Sequence, residues 1–478
     1  MKLKKKTVYP SIILISIIAF FALGEKSLGL LIFLNILLAG IFLYDSLKKS
    51  ILSIDILFVL NYLMYVLYIP IRLLDKSYNG EMFYDLSSDR LLASQVVLVC
   101  GIIALMAFIS GKYLYYEHIC NRKVNIKVKN SYLLKIKDKI RMFISKYSRI
   151  ININTFSYFL ILAGFSLFMI GIFKQGGLSY IFSKYIWNSD NIQEIGIMTT
   201  GVLVANSGIA LAFYTFIQQK DFNLKMLLKW PISYIFIFLS AIKLIQGGRI
   251  QILMAALTLI AIYSVQYKNI SLKTAFIIGI IGIVSLGYIG YYRDYKTLIP
   301  SDFGTMMKYI LGGSASLEYF LNSYTIFTTM NVINVANISY LWGGTILDGL
   351  TFLIPRFVLP NKDTLLLTNN KIAELNSIEV ISPVGGLNLA AQNLLNGNVI
   401  YTILFMLLIA IMIYWLTEYK NRRKTGTLLY CLVLPYIVIS SVRNPIFYSI
   451  KEVIQFAIIP YLIYMFLSKG DQYEKNSI

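Results

Sequence analysis

Apolar runs long enough to cross a bilayer recur from one end of this chain to the other, and they leave few folds open. A hydrocarbon core roughly 30 Å thick takes about 20 apolar residues in helical form. Inside it no water satisfies the backbone, so only helices and closed barrels can span. A barrel would show short alternating segments; here the runs are continuous. Over 478 residues, 57% are apolar and 14% charged. The runs read as twelve spans, at about 8–24, 28–44, 51–71, 91–111, 154–173, 196–217, 231–246, 249–266, 274–292, 398–417, 428–442 and 450–468. The expected fold class is therefore all-α, a polytopic membrane helix bundle forming a single transmembrane domain over 1–478. Neither an internal repeat nor a separate soluble domain is visible.

A formal net charge of +21 looks like a nucleic-acid signal until it is located. With Lys2, Lys4, Lys5 and Lys6 placed in the cytoplasm, the inside segments hold 28 basic and 7 acidic residues. Everything else holds 16 of each. The whole excess is thus the positive-inside bias of membrane proteins, which predicts cytoplasmic termini and gives no reason to expect nucleic acid as a partner. The basic cytoplasmic loop 112–153 fits the anionic inner leaflet of the lipid bilayer. Cys100 and Cys431 fall within spans and Cys120 in that loop, so no extracellular disulfide framework is expected. The first run has the basic start of a signal peptide but no A-x-A-like site before Gly24, and it reads as an uncleaved helix.

Two spans, 231–246 and 249–266, are joined only by Gly247 and Gly248. Glycine permits a tight turn and a close approach by other groups. Arg249 opens the second span, and Lys243 lies inside the first. A charge at membrane depth costs about 2.5–3.5 kcal/mol on insertion scales. Two cations at one hairpin tip, which the charge bias places outside, call for an anion; the alternative is that both snorkel to the headgroups.

From 293 to 397 runs a long outer loop without a full span. Its apolar pieces, 306–324 and 338–359, are interrupted by Gly and Pro. Two or three short helices on or dipping into the outer leaflet are expected, roofing a cavity in the bundle; one continuous span over 331–354 is the competing reading. The outer face then carries Arg249, Arg293, Arg356, Lys362 and Arg443. Arginine pairs two phosphate oxygens at once and stays charged, so the set fits a pyrophosphate clamp. Each taken alone fits an interfacial anchor. No nucleotide-binding loop, HExxH or outer histidine occurs. The carboxylates Asp348, Asp363, Glu374 and Glu379 are too scattered for a metal site, so no metal and no cofactor is expected.

The segments QGGRIQILMAALTLIAIYSVQYK and YYRDY, and the loop pieces LTFLIPRFVLPNKDT and SPVGGLNLAAQNLLNG, resemble oligosaccharide repeat-unit polymerases of the O-antigen and capsule (Wzy) type. The resemblance implies a GT-C-like membrane glycosyltransferase. It would join undecaprenyl-diphosphate-linked repeat units on the outer face of the bacterial cytoplasmic membrane, without nucleotide sugar or metal. A flippase and a chain-length regulator are its implied companions. In that reading Arg249 and Arg356, helped by Lys362, Arg293 or Arg443, hold the diphosphate together with Lys243, Gly247 and Gly248. A carboxylate, Asp348, Glu374 or Glu379, takes the acceptor's proton. Asn388, Gln392 and Asn393 meet sugar hydroxyls, or else form a capped helix start. The rival readings are a lipid-linked-oligosaccharide flippase and a ligase that transfers finished glycan.

Overall fold

The computed structural model describes residues 27–47, 52–74, 88–120, 153–177, 192–219, 222–245, 249–295, 339–354, 358–359, 361–376 and 387–475, with isolated positions at 15, 18, 179, 304, 325, 326, 329, 330 and 333. All regular structure among them is helical. Among the described residues eight helices are long and apolar enough to cross a membrane, which makes the chain a multi-pass membrane protein. The expected span 8–24 lies outside the described residues, apart from positions 15 and 18. Those at 231–246, 249–266 and 274–292 correspond to helices Pro231–Ile245, Arg249–Gln266 and Leu272–Tyr295. The basic loop read from 112 starts later than expected, because helix continues to Leu114 and a π turn to Cys120. Residues 121–152 lie outside the described ones.

The chain divides into two compact units. The first comprises Met1–Arg122, Ala315–Trp415 and Tyr436–Glu452. Its helices α1 (Ser27–Leu47), α2 (Ile54–Leu73) and α3 (Ser88–Leu114) pack together. A polar residue helps to join them: Asn35 of α1, fully buried, donates through Nδ2 to the carbonyls of Leu31 at 2.9 Å and of Leu98 on α3 at 3.1 Å. Gly101 of α3 makes room for this, since a Cβ there would lie 2.9 Å from Val66 and 3.0 Å from Asn35 Oδ1. Asp55, in the first turn of α2, is buried within the protein; Tyr414 Oη donates to it at 2.8 Å and Ser46 Oγ at 3.3 Å.

The second unit comprises Lys123–Ser314, Leu416–Pro435 and Val453–Ile478. Its centre is the pair α4 (Ile153–Lys174) and α5 (Ile192–Phe216). Lipid tails are as apolar as leucine, so membrane helices adhere chiefly through close packing of small residues. Ser157, Gly164 and Gly171 recur at seven-residue intervals on α4, and Gly201 and Gly208 do so on α5. They bring the two backbones into direct contact: a Cβ on Gly164 would stand 2.3 Å from the Ala205 nitrogen and 2.6 Å from the Gly201 oxygen. Helix α6 (Pro231–Ile245) adds Ile232, Leu239 and Ile242 to the same core. Helices α7 (Arg249–Gln266) and α8 (Leu272–Tyr295) follow.

Within the long loop the described helices are α9 (Gly344–Leu353) and α10 (Leu367–Asn376). At 10 residues each, with a rise of 1.5 Å per residue, each covers about 15 Å, half a bilayer. The continuous span over 331–354 does not form. Residues 339–341 carry no helix, and Trp342 and Gly343 turn to positive φ, 48° and 86°. Helix α11 (Leu389–Arg422) leaves helical geometry at Gly397 and Asn398, so its first turns belong with the loop and the remainder crosses. Helix α12 (Lys424–Pro435) continues through a π segment, Tyr436–Ser440, to Arg443; α13 (Ile446–Glu452), a second π segment and α14 (Ile459–Lys475) complete the chain.

Gly164→Ala forces α4 and α5 apart and is expected to destabilise the fold by about 1–3 kcal/mol, the usual cost of overpacking. Gly279 of α8 has nothing within 4 Å of its notional Cβ, so Gly279→Ala leaves stability unchanged or slightly higher. Thermal unfolding in detergent compares the two; equal midpoints would remove the close-packing account.

Candidate anion-binding site

The expected site residues divide between the two units. Lys243, Arg249 and Arg293 belong to the second; Asp348, Lys362, Asn388, Gln392, Asn393 and Arg443 to the first. Gly247, Gly248, Arg356 and Glu379 lie outside the described residues. Helix α6 ends at Ile245 and α7 begins at Arg249, so only three residues link them. Arg293 stands in the last turn of α8.

Lys243 is 6% exposed, although it carries a charge in the last turn of an apolar helix. Its ammonium faces the ring of Phe168 on α4, 5.5 Å from the centroid. The negative face of an aromatic ring attracts a cation, yet it supplies no full countercharge. Among the described residues no carboxylate pairs with Lys243. Here the second unit holds a buried cation whose charge is only partly met.

In the first unit, the residues read as chemical are engaged in fastening the loop. Asp348 is buried in the middle of α9 and accepts hydrogen bonds from the backbone N–H of Leu367 at 2.8 Å, from that of Thr368 at 2.7 Å, and from the Thr368 hydroxyl. The first N–H groups of a helix have no partner within it; Asp348 serves them from outside and holds α10 against α9. Lys362 does the converse at the other end of α9. Its Nζ donates to the carbonyls of Phe352 at 3.1 Å and Ile354 at 2.9 Å and lies 4.5 Å from the Phe352 ring centroid. A cation suits the carbonyl end of a helix. Arg356 falls in the link between Ile354 and Lys362, whose two ends this contact ties together. Glu374 forms an ion pair with Lys371 at 2.8 Å.

At the start of α11, Asn388 Oδ1 accepts from the Ala391 N–H at 3.0 Å, an N-cap. Gln392 spends its amide on backbone: Nε2 donates to Leu387 O at 2.7 Å and Asn444 O at 3.0 Å, while Oε1 accepts from Ile446 N at 2.7 Å. Asn393 Nδ2 is buried with no hydrogen-bond partner. Arg443 is half-buried in the turn between α12 and α13, where Nη1 donates to Asn444 Oδ1 at 2.9 Å.

Three residues outside the expected set have equal structural weight. Asn396 accepts from Gly343 N at 3.1 Å and donates to Thr345 Oγ1 at 2.8 Å, closing the start of α9 onto α11. Lys451 lies 4.7 Å from the Phe352 ring centroid, and Glu452 accepts from Ser440. Nothing in the spacing of Asn396 marks it. Glu452 carried a signal, the one carboxylate of the span Ile446–Leu467, beside Lys451.

Asp348→Ala leaves the first N–H groups of α10 unserved, at a cost of about 1–3 kcal/mol for a buried unpaired donor. Backbone hydrogen exchange at 364–372 should accelerate and the unfolding midpoint should fall; unchanged exchange would show that Asp348 is not the fastener. Against protein-family models, curated proteins and solved structures, the chain has no match.

Proposed function

We propose that the chain is a membrane glycosyltransferase, a polymerase that joins lipid-diphosphate-linked oligosaccharide repeat units into surface polysaccharide on the outer face of a bacterial cytoplasmic membrane. The observation that carries the reading is Lys243, an ammonium buried in an apolar core with an aromatic ring beside it and, among the described residues, no carboxylate paired to it. Such a charge is costly at membrane depth, and an anionic headgroup is the ligand that would offset it. Arg249, four residues beyond the end of α6, heads α7, and helix N-termini favour phosphate.

In this reading Lys243 and Arg249 hold the donor's diphosphate. The acceptor hydroxyl attacks the anomeric carbon, the carbon–oxygen bond to phosphate breaks, the electron pair leaves with the diphosphate, and the hydroxyl's proton passes to that leaving group. Guanidinium and ammonium groups stabilise that developing charge, commonly a large share of catalysis. Arg356 and Arg443 belong to the first unit and are cations of the same phosphate-facing kind by sequence, separate from the pair in the second unit. Lys362 is assigned to holding the link that carries Arg356, since its ammonium meets backbone carbonyls.

Purified protein supplied with lipid-diphosphate repeat units in detergent should lengthen the glycan with no sealed membrane present. Translocation across vesicles without chain growth would favour a flippase instead. Arg249→Lys keeps the charge but loses the two-pronged geometry, and should lower chain growth about 100-fold if one oriented donor is lost. Lys243→Met should raise the unfolding midpoint of the empty protein while removing the stabilisation that a prenyl diphosphate confers on wild type by mass action. A lower midpoint together with intact ligand stabilisation would overturn the role given to Lys243.

A further inference from the structure

Between α12 and α13 the chain turns at Asn444 and Pro445, and this turn is fastened on several sides. Gln392 of α11 holds Asn444 O and Ile446 N through its amide. The Asn444 N–H donates to Ser440 O at 2.8 Å. Beneath the turn lies a connected set of side chains. Ser440 Oγ donates to Glu452 Oε2 at 2.5 Å and accepts from Ser449 Oγ at 3.0 Å and from Asn444 Nδ2 at 3.4 Å. Asn444 Oδ1 accepts in turn from Arg443 Nη1 at 2.9 Å. Glu452 is six residues beyond Ile446, about 9 Å along the helix, within a span of 22 residues. A carboxylate at such a place is costly and points to function. The π segments Tyr436–Ser440 and Val453–Ile458 flank it, and π segments are frequent at functional sites.

With Glu452 ionised, the two ends of this chain of hydrogen bonds are chemically one-directional. An ionised carboxylate only accepts, and a guanidinium only donates. Hydroxyl and amide groups between them can be read either way, so the ends decide. Because Glu452 takes the Ser440 O–H, the lone pairs of Ser440 face Asn444 and attract its N–H. With Nδ2 so committed, Asn444 presents Oδ1 to Arg443. If Ser440 donated to Asn444 instead, the amide would present N–H to a guanidinium that has only N–H to offer, and the contact would be lost.

We infer that Glu452 is a positioning residue for Arg443, and that the relay Glu452–Ser440–Asn444 aims the guanidinium at an anion of the diphosphate class. The identity of that anion rests on the function proposed above; the positioning of Arg443 does not. Glu452 touches no reacting atom in this account. Asp348 and Glu374 are committed elsewhere, to α10 and to Lys371, so Glu452 supplies a carboxylate with a defined task in the outer turn.

The test labels arginines with phenylglyoxal in nanodiscs and reads each site by mass spectrometry, in wild type, Glu452→Gln, Ser440→Ala and the double variant. Glutamine removes the obligate acceptor at constant size, and Ser440→Ala cuts the relay one step further on. Each single variant should change the labelling rate of Arg443 about tenfold and leave Arg422 and Arg423 unchanged, with no further change in the double variant, because one relay is cut twice. Affinity for farnesyl diphosphate should fall about tenfold in the same variants. Equal Arg443 labelling in all four proteins overturns the positioning role. So does a Glu452→Gln protein that binds and labels as wild type but has lost turnover, since Glu452 would then be the proton acceptor. If wild type binds no farnesyl diphosphate while the labelling pattern holds, the proposed function falls and the positioning of Arg443 stands.

Discussion

Hydrocarbon offers no hydrogen bonds, and this one deficiency organises the molecule. It forces the backbone into helices and then favours polar side chains within the spans that find a partner in the protein. Asn35 reaches the carbonyl of Leu98, Asn61 that of Val438 in a π segment, and Ser207 that of Phe456. Each bond joins two helices, and each is made where water is scarce and the alternative is an unpaired group. Such bonds give a slippery apolar interface a definite register. Between α4 and α5, which share the hydrogen bond from Thr215 Oγ1 to Asn154 Oδ1 at 3.1 Å, glycine at seven-residue spacing adds direct backbone contact.

The loop helices follow the same rule at a larger scale. Helix α9 has its first N–H groups served by Asn396, its last carbonyls by Lys362, and its middle occupied by Asp348, which serves α10. A helix of 10 residues is marginal in isolation; these three side chains, with the aromatic group of Phe352, Phe447 and Tyr448, hold it on α11 and α13. Residue types that serve chemistry in an open site here serve cohesion. That leaves the functional argument on cations whose charge is not absorbed in this way, above all Lys243. It also lends weight to Arg443, held at the end of a relay whose direction a carboxylate sets.

Much of this was legible beforehand, and the reasons differ by residue. Helix class and most span positions follow from the length of apolar runs. The break of the long loop into short helices follows from Gly343 and the Pro-flanked segment near Arg356, and the N-cap role of Asn388 from an amide just ahead of LAAQ. By contrast, the partner of Asp55 is not legible from its place in the first turn of α2, because Tyr414 stands 359 residues away. Asn396 and Glu452 acquire their roles from Gly343, Thr345 and Ser440, partners that no spacing reveals.

What the sequence by itself determined is the all-helical membrane architecture, the hairpin whose tip carries Lys243 and Arg249, and the supply of cations, because these depend on local composition and on the thickness of a bilayer. Which polar residues are consumed in holding the fold, and which keep charge to spare, only the tertiary structure decided. A hydrogen bond or an ion pair is a relation between two groups within about 3 Å, and neighbours of that kind are chosen by packing, often across hundreds of residues of chain.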